Sequence, residues 1–477
     1  MISINTLPDD VLVAIFHHCV SDDDAQHITV REEAWKAWES LVHVCRRWRS
    51  IIFASPRHLK LWLVCTERTP TRDRLDIWPA LPLVIRNYYS NQLGLTDNVI
   101  AALERCDRVC RITFADLSSS DMEIYLAATA MQQPFPELTY LLIYSYSTTV
   151  RVVPDSFLGG SAPRLEFLTL DRIPFPGLPK LLLSATHLVT LHLYHIPHSG
   201  YFSPEAMVTA LSTLTSLEDF TLRFQSPRSC PDQANRRLPP STRSVLPVLT
   251  RFLFKGVTEY LEDLVARIDA PRLNTLDIFL FNDIVFDTPQ LIQFISRTST
   301  SRALEKAHIT LQSLTAILGF SSQTSGNWKV WVKILCRGLN WQLSSLEQVC
   351  AECLPSLSML EDLYIYEERY SRQNWKDDIE NGLWLQLLHP FTAVKNLYLS
   401  EPLALHIGPA LQELAEGRTM EVLPALQNIF LEGLESSGSV QEGITKFVAA
   451  RQVASHPIVA SDWANAFRDK VYHDSDW

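Results

Sequence analysis

The chain has 477 residues, a formal net charge of −11 at pH 7 and 47% hydrophobic residues, which is ordinary composition for a globular protein. Lys and Arg form no long runs, so the sequence argues against a surface that follows nucleic-acid phosphates, and we expect no nucleic-acid partner. The nine cysteines are irregularly spaced and odd in number, which favours a reducing compartment and predicts a cytoplasmic or nuclear protein.

Two observations predict that the protein has no membrane segment. The first residues do not combine a basic start with an apolar core, so no signal peptide is expected. Residues 181–204 contain no Lys, Arg, Asp or Glu, but four histidines, Pro197 and Gly200 interrupt them. A span of that composition is disfavoured, and no membrane partner is expected.

The stretch from Leu7 to Leu63 has the pattern of short amphipathic helices. In its first part, Leu7, Val11, Leu12, Ile15 and Phe16 recur at helical spacing. Pro8 suits a first helical turn, and the acids that follow it suit the positive end of the same helix. A second apolar stripe runs from residue 38 to residue 52. Helices of this size cannot bury their own apolar faces. Either the rest of the chain or a partner protein must therefore cover them.

Three short motifs in this stretch together resemble an F-box: Leu7-Pro-Asp-Asp-Val-Leu with Ile15-Phe16, Val44-Cys-Arg-Arg-Trp48, and Ser55-Pro56 with Leu61-Trp62. F-box domains dock on the Skp-type adaptor of cullin–RING (SCF) ubiquitin ligases. Residues 17–40 are longer than a compact F-box needs, and we interpret the run Asp22-Asp23-Asp24 as part of a solvated loop. The resemblance implies an adaptor-binding surface formed by Leu7, Pro8, Val11, Leu12, Ile15, Phe16, Leu41, Cys45 and Trp48.

The remainder of the chain repeats a six-residue pattern of apolar, x, x, apolar, x, apolar. The intervals between copies are 23–34 residues, except for one of 56, where residues 328–334 suggest a hidden copy. Proline stands two residues before five of the copies, where it can stop a preceding helix. The eleven copies start at Val109, Leu138, Leu165, Leu188, Leu217, Leu249, Leu273, Leu304, Leu360, Val394 and Leu426.

This pattern resembles the leucine-rich repeat, which implies stacked units of a strand followed by a helix that bury one continuous core. Ser203-Pro204-Glu205 and Asp287-Thr288-Pro289 are typical helix starts between copies. The Asn or Cys that follows the third apolar position in regular repeats is absent, so we expect an irregular, curved array. A plain α/β domain with Leu-rich strands is the alternative.

The predicted fold is therefore an α/β solenoid with an N-terminal all-α F-box. Residues 1–66 form the F-box, and residues 67–104 form a linker or a capping repeat in which 81–85 is a strand. Residues 105–434 form the irregular leucine-rich-repeat array. Residues 435–477 form a C-terminal helical cap, with Val440, Ile444, Phe447 and Val448 facing inward, and a frayed tail.

The residue between the second and third apolar positions is expected to point to the concave side of the array. In the last three copies this residue is aromatic, and aromatic side chains are candidate binding anchors. The alternative is that these rings pack on the terminal cap or on one another. The predicted target-binding residues are Tyr364, Tyr366, Tyr398 and Phe430, and the remaining slots hold Thr113, Leu142, Thr169, His192, Thr221, Leu253, Asp277 and His308.

The sequence offers little support for a cofactor, a metal site or an active site. Cys350 and Cys353 have the spacing of half a zinc site, but no second pair exists and core cysteines are favoured. His192, His195 and His198 straddle a strand end and a Pro turn rather than forming a ligand set. Phosphate-binding glycine motifs are lacking. We therefore predict no cofactor, no metal and no enzymatic activity.

Taken together, these features predict the substrate receptor of an SCF-type ubiquitin ligase. The F-box would hold the Skp-type adaptor and the array would hold an unidentified target protein. A non-catalytic leucine-rich-repeat scaffold or inhibitor, whose N-terminal helices simply cap the array, is the first alternative. An enzyme with a dispersed Ser, His and acid site is the second.

Overall fold

A computed structural model describes residues 7–20, 37–54, 59, 61–68, 71–78, 80–88, 96–116, 119–146, 150–227, 243–281, 288–298, 304–321, 328–336, 338–353, 357, 359–367, 380–415, 418–432 and 438–462. The chain divides into two compact units, Met1–Thr190 and Leu191–Trp477. The predicted acidic loop at residues 22–24, the Ser55-Pro56 part of the F-box resemblance and the C-terminal tail lie outside the described residues.

The first unit begins with three short helices and continues with alternating strands and helices. The order is α1 (Asp9–Val20), α2 (Ala37–Val42), α3 (Arg46–Ala54), β1 (Leu63–Cys65), α4 (Thr71–Ile77), β2 (Leu83–Tyr88), α5 (Thr96–Leu103), β3 (Val109–Ala115), α6 (Ser119–Ala127), β4 (Tyr140–Tyr144), β5 (Phe167–Asp171) and α7 (Leu178–Leu182).

The strands of this unit pair in chain order, β1-β2-β3-β4-β5, and all four pairings are parallel. Parallel neighbours need a crossover between them, and helices or long loops supply it here. Strand β2 covers most of the predicted strand at 81–85, so a pairing strand is present in the segment described as a linker or capping repeat. Strand β1 begins the sheet before that segment, within residues 1–66.

The second unit repeats the same alternation with one insertion. Its elements are β6 (Thr190–Ile196), α8 (Pro204–Leu211), β7 (Asp219–Phe224), β8 (Ser244–Val245), β9 (Arg251–Gly256), α9 (Thr258–Val265), β10 (Ile268–Asp269), β11 (Thr275–Leu280), α10 (Pro289–Arg297), β12 (Lys306–Leu311), β13 (Thr315–Ser321), β14 (Trp328–Leu335), α11 (Leu339–Cys353), β15 (Asp362–Glu367), α12 (Asn381–Leu388), β16 (Asn396–Leu399), α13 (Glu401–Leu414), β17 (Asn428–Leu431), α14 (Gly438–Val453) and β18 (Val459–Asp462).

The main sheet of this unit runs in the order β6-β7-β9-β11-β14-β13-β12-β15-β16-β17-β18, while β8 and β10 form a separate parallel pair. Each of the eleven predicted copies corresponds to a strand of one of the two units. The pattern places its second and third apolar residues on one strand face, where both are buried, as Phe220 and Leu222 are in β7. The prediction of an α/β repeat architecture with parallel strands is thus confirmed.

The parallel strand order is interrupted at one place, the long interval between the copies at Leu304 and Leu360. The hidden copy is strand β14, but it pairs with β11 in parallel and with β13 in antiparallel orientation. Strand β13 was not predicted, and it also pairs antiparallel with β12. Only Gln312, Ser313 and Leu314 separate β12 from β13. So short a connection can only reverse the chain, which is why an antiparallel strand interrupts the parallel order.

Local sequence explains where the helices of the second unit begin. Helix α8 starts at Pro204, and the Ser203 hydroxyl accepts a hydrogen bond from the Ala206 N–H at 3.2 Å. Helix α10 starts at Pro289 as predicted, but its first N–H groups are capped from outside. The Glu262 carboxylate of α9 accepts from Gln290 and Leu291 at 3.0 and 2.8 Å. A negative charge at this helix end is stabilising.

The end of the chain is more than a helical cap. Helix α14 buries Ile444 and Phe447 as predicted, and β18 then pairs with β17, so strand pairing continues beyond residue 434. The fully buried Arg451 of α14 donates to the carbonyls of Val422 and Leu423 at 3.2 and 2.6 Å. The side chain of Val440 lies outside the described residues.

Candidate functional site

The N-terminal helices divide the predicted adaptor-binding residues into an inner and an outer set. Leu12 and Phe16 are buried, and the Phe16 ring lies 4.8 Å from the ring of Trp48. Val11 and Ile15 are 39% and 38% exposed on the neighbouring face of α1, about 100° around the helix. Pro8 is also exposed, whereas Leu7, Leu41, Cys45 and Trp48 are partly buried. The outer set, Pro8, Val11 and Ile15, is the most exposed to a partner. The inner set, Leu12 and Phe16, supports it by packing inside the helical cluster.

A second contact set joins these helices to the strands of their own unit. Trp38 of α2 is buried, and its indole N–H donates to the Trp62 carbonyl at 3.1 Å. Its ring lies 5.3 Å from that of Trp78, edge to face. Glu39 pairs with Arg74 of α4 at 3.2 Å. One side of the helical cluster is therefore covered by the chain itself, as one of the two sequence interpretations expected.

A groove of about 750 Å³ lies where strands of the first unit begin. The Arg111 guanidinium lies 5.9 Å from the Trp62 ring and 4.3 Å from the Tyr140 ring, and Tyr140 stacks on Phe167 at 4.3 Å. The groove carries both signs of charge in equal number, so it favours neither anions nor cations. The charged lining residues are Asp107, Arg108, Arg111, Glu137, Arg164 and Glu166.

In the second unit, the predicted slot residues form one continuous row across the sheet, which we call the central row. Strand register places each slot residue opposite the next, as the repeat pattern predicts. The inserted strands contribute Trp331 and Gly319 to the row. In spatial order the row is Thr221, Leu253, Asp277, Trp331, Gly319, His308, Tyr364, Tyr398, Phe430 and Ser461.

One end of the central row is a stack of rings, which we call the aromatic ladder: His308, Tyr364, Tyr398 and Phe430. Successive ring centroids are 4.4, 4.2 and 4.6 Å apart, and the planes differ by no more than 10°. Tyr364 is 3% exposed and Tyr366 is 8% exposed. The expectation of exposed anchors is therefore wrong for these two tyrosines, because the rings pack on one another. Tyr398 and Phe430 are half-buried.

A polar ladder accompanies the rings, two residues earlier on the same strands. Asn396 Nδ2 donates to Asp362 Oδ1 at 2.7 Å, and Asn428 Nδ2 donates to Asn396 Oδ1 at 2.8 Å. The sequence analysis considered an Asn only after the third apolar position, so it did not predict this ladder. The signal was present, because each of these residues stands two positions after the first apolar residue of its copy.

The other end of this face carries a group of cations, which we call the cationic cluster: Arg223, Lys255 and Lys333. They share one row with Phe279, since Arg223 pairs with Lys255, Lys255 with Phe279, and Phe279 with Lys333. The ammonium groups of Lys255 and Lys333 lie 4.8 and 5.6 Å from the centre of the Phe279 ring. All three cations are half-buried.

Electrostatics set the two ends of this face apart. Burial, together with the charges of Arg223 and Lys333, lowers the pKa of Lys255. Burial raises the pKa of Asp277 to about 6, although Arg223, Lys333 and Arg251 act in the opposite direction. Arg223 lies 4.0 Å from Asp277. Burial, with a smaller contribution from Lys306, lowers the pKa of His308 to about 3, so the ladder contains a neutral imidazole.

The residues considered for metal binding have other surroundings. His192 Nε2 lies 3.2 Å from Asp219 Oδ2, and Arg251 lies 3.0 Å from the same oxygen. Burial raises the pKa of Asp219, but His192 and Arg251 outweigh it, so the pKa is lowered. Cys350 is buried on α11, and the side chain of Cys353 lies outside the described residues. Within the described part of the chain, no three His, Cys, Asp or Glu side chains form a possible metal site.

Comparison with known proteins yields weak similarity to several solved structures, of which two are described here. The leucine-rich repeat-containing protein LegL7 from Legionella pneumophila matches 81% of this chain with 97% of its own, at 12% identity and a TM-score of 0.26. The TLR13–ssRNA13 complex matches 77% of this chain with 45% of that chain, at 12% identity and a TM-score of 0.31. No protein-family model and no curated protein matches the sequence. The repeat architecture rests on the strand pairing described above.

Among the helices that the structure describes, none combines the length and the apolar character needed to cross a bilayer.

Proposed function

We propose that this protein is a non-catalytic substrate receptor of an SCF-type ubiquitin ligase, acting in the cytoplasm or nucleus. Its N-terminal helices dock on a Skp-type adaptor, and its repeat strands hold a target protein. Helix α1 supports this most directly, because it is apolar on two sides. Leu12 and Phe16 fill the helical core, whereas Val11 and Ile15 leave a second apolar stripe in solvent. The stretch that begins with this helix resembles an F-box, and that resemblance is the reason for proposing a Skp-type adaptor as the partner.

The target would be held by the face that carries the central row, where neighbouring, mostly parallel strands present a broad surface of alternating side chains. Catalysis needs no chemistry from this chain. Holding a target lysine near a ubiquitin-loaded enzyme raises its effective concentration, which is the whole contribution of a receptor.

The adaptor interaction is tested by changing the outer stripe without touching the helical core. The variant Val11→Asp/Ile15→Asp should lose at least about tenfold in affinity for a purified Skp-type adaptor, because it places charge where roughly 1.5–3 kcal/mol per apolar side chain is otherwise available. Binding is measured by calorimetry on the full chain. Ile124→Asp is the matched control, since Ile124 is also a half-exposed helical isoleucine of the first unit.

The proposal fails if the unaltered chain does not bind the adaptor, or if the double variant binds as tightly as the control. Point substitutions are preferable to removing residues 1–66. That deletion would also remove β1 and the Trp38 ring that lies 5.3 Å from Trp78.

A scaffold function without ubiquitination is the second candidate, and the contacts of Trp38 favour it. A helical cluster that packs on β1 and α4 through Trp38, Glu39 and Arg74 is a structural cap of its own unit. In this case the adaptor would not co-purify, and Val11→Asp/Ile15→Asp would leave target binding unchanged.

A further inference from the structure

The most informative surface outside the N-terminal helices is the cationic cluster. The chain as a whole is acidic, with 53 Asp and Glu against 42 Lys and Arg. In the cluster itself the balance is reversed. Arg223 and Lys255 come from the adjacent strands β7 and β9, and Lys333 comes from β14, with Phe279 of β11 between the two lysines. Like charges this close repel one another, so the cluster lowers the stability of the fold unless an anion joins it.

The neighbouring acid offsets the cluster only in part. Asp277 lies 4.0 Å from Arg223, and burial raises the pKa of its carboxyl. Among the described residues, no carboxylate lies within 4.0 Å of Lys255 or Lys333. The other nearby acid, Asp219, is shared between His192 and Arg251. The described carboxylates near the cluster therefore pair with Arg223, or with His192 and Arg251, and none of them lies within 4.0 Å of the two lysines.

Aromatic rings define how a ligand would lie across the cluster. The Lys255 ammonium lies 4.8 Å from the Phe279 ring and 5.5 Å from the Phe281 ring, and Arg223 lies 5.5 Å from the Tyr194 ring. These rings hold the cations in place and present apolar edges beside them. Adjacent strands are about 4.8 Å apart, whereas alternate side chains of an extended peptide recur about every 6.6 Å. The long, flexible Lys and Arg side chains can reach sideways to cover this difference.

We propose that the cationic cluster binds an acidic, extended peptide segment, whose Asp or Glu carboxylates pair with Arg223, Lys255 and Lys333. The segment crosses strands β7, β9, β11 and β14, and Phe279 separates two of its carboxylate sites. Charge complementarity selects this occupant. The lining of the groove in the first unit has equal numbers of acids and bases, whereas the cluster has three cations beside the half-buried Asp277.

This inference deepens the proposed function, because it gives the chemistry of the target segment that a receptor would hold. It does not depend on the adaptor. Peptide binding is measured on the chain alone, without the adaptor. A lack of peptide binding would therefore not contradict the adaptor proposal, and a lack of adaptor binding would not contradict the peptide proposal.

The experiment uses fluorescence anisotropy of a short fluorescein-labelled oligoglutamate peptide with the full chain at low salt. We expect Lys255→Gln/Lys333→Gln to weaken binding by at least about tenfold. Lys395→Gln serves as a control cation, since Lys395 lies on the surface and pairs with Glu361. This control should bind as the unaltered chain does, and raising the salt concentration should weaken binding in both.

Asp277→Asn keeps the proposal testable even if the double variant folds poorly. Asp277 carries a carboxylate 4.0 Å from Arg223, so removing its charge should tighten oligoglutamate binding by several-fold. The proposal is overturned if no oligoglutamate binding is detected, if both lysine substitutions leave it unchanged, or if Asp277→Asn weakens it.

A phosphoserine peptide of the same length is the second probe. Markedly tighter binding of that peptide, lost with the two lysines, would assign the site to phosphate and overturn the carboxylate assignment.

Discussion

The aromatic ladder and the cationic cluster occupy the same face of the second unit, yet they satisfy their side chains in opposite ways. Each ring of the aromatic ladder stacks on the next, and the side chains of the polar ladder beside it form hydrogen bonds with one another. The cluster instead brings three cations together with one acid whose ionisation is disfavoured. The ladder is complete without a ligand, while the cluster gains energy from one.

This difference shows that an aromatic residue at a slot position is weak evidence for binding when the same slot is aromatic in adjacent repeats. Stacking between repeats is worth about 0.5–1.5 kcal/mol per pair, and it favours packing over exposure. Like charges at neighbouring positions on adjacent strands repel one another and cannot stabilise the fold in this way. We therefore assign stability to the ladder and recognition to the cluster, and the two ends can be tested separately.

The largest effect is expected from removing one ring of the ladder. Tyr398→Ala takes away the stack on both Tyr364 and Phe430, and it should lower the free energy of unfolding by about 3 kcal/mol. Tyr398→Phe keeps the ring and should lose far less. Urea titration followed by circular dichroism measures both. Equal stabilities of the alanine and phenylalanine variants would show that the stack contributes nothing.

A smaller effect is expected from acidification of the ladder. The pKa of His308 is lowered to about 3 by burial, so the unfolded chain binds its proton more readily than the folded chain. The stabilisation from this residue is complete above pH 6.5 and is lost as the pH falls towards 3. Between pH 7 and pH 5 the loss is about 2 kcal/mol.

The test compares the unaltered chain with His308→Phe, which keeps a flat ring in the stack. The variant should lose less stability between pH 7 and pH 5 in urea titrations at both values. If the two proteins lose the same amount, His308 is not held neutral.

The smallest effect concerns the cluster, and its sign is opposite. The pKa of Asp277 is raised to about 6, so the folded chain holds this proton more tightly than the unfolded chain. Stability from this group is present at low pH and falls as the pH rises from about 4 to 6. Because the side chain is partly exposed, we expect Asp277→Asn to gain only about 1 kcal/mol over the unaltered chain between pH 4.5 and pH 7.

Parallel urea titrations at these two pH values measure this gain. A gain of the same size at both values would assign it to packing rather than to ionisation.

The repeat pattern predicted much of the fold because it has a direct physical cause. The residues at its second and third apolar positions must share a strand face to be buried, and that requirement fixes both the strands and the register of the central row. It did not predict β13, in which every residue is buried and whose direction depends on the short connection at residues 312–314. Strand direction is set by loop length, which the pattern does not contain.

The candidate sites were predicted less well, for two reasons. The exposure of a side chain depends on its neighbours in space, which the repeat pattern does not show. Tyr364 was therefore predicted to be exposed for binding, whereas it stacks on His308 and Tyr398. The cationic cluster was missed although its signal is simple. Arg223, Lys255 and Phe279 each follow the third apolar residue of consecutive copies, and Lys333 holds the same position in the hidden copy. Comparing single positions between copies would have revealed it.

The insertion of β13 and β14 also affects the order in which the protein can assemble on the ribosome. Most strands find their partner in the copy that is translated next, so the sheet can grow as the chain emerges. Strand β11 instead pairs with β14, and β12 is translated before β14 but lies two strands further on. The edge of β11 therefore stays open until Trp328–Leu335 has left the exit tunnel. During that interval, nascent chains are exposed to mispairing at this edge.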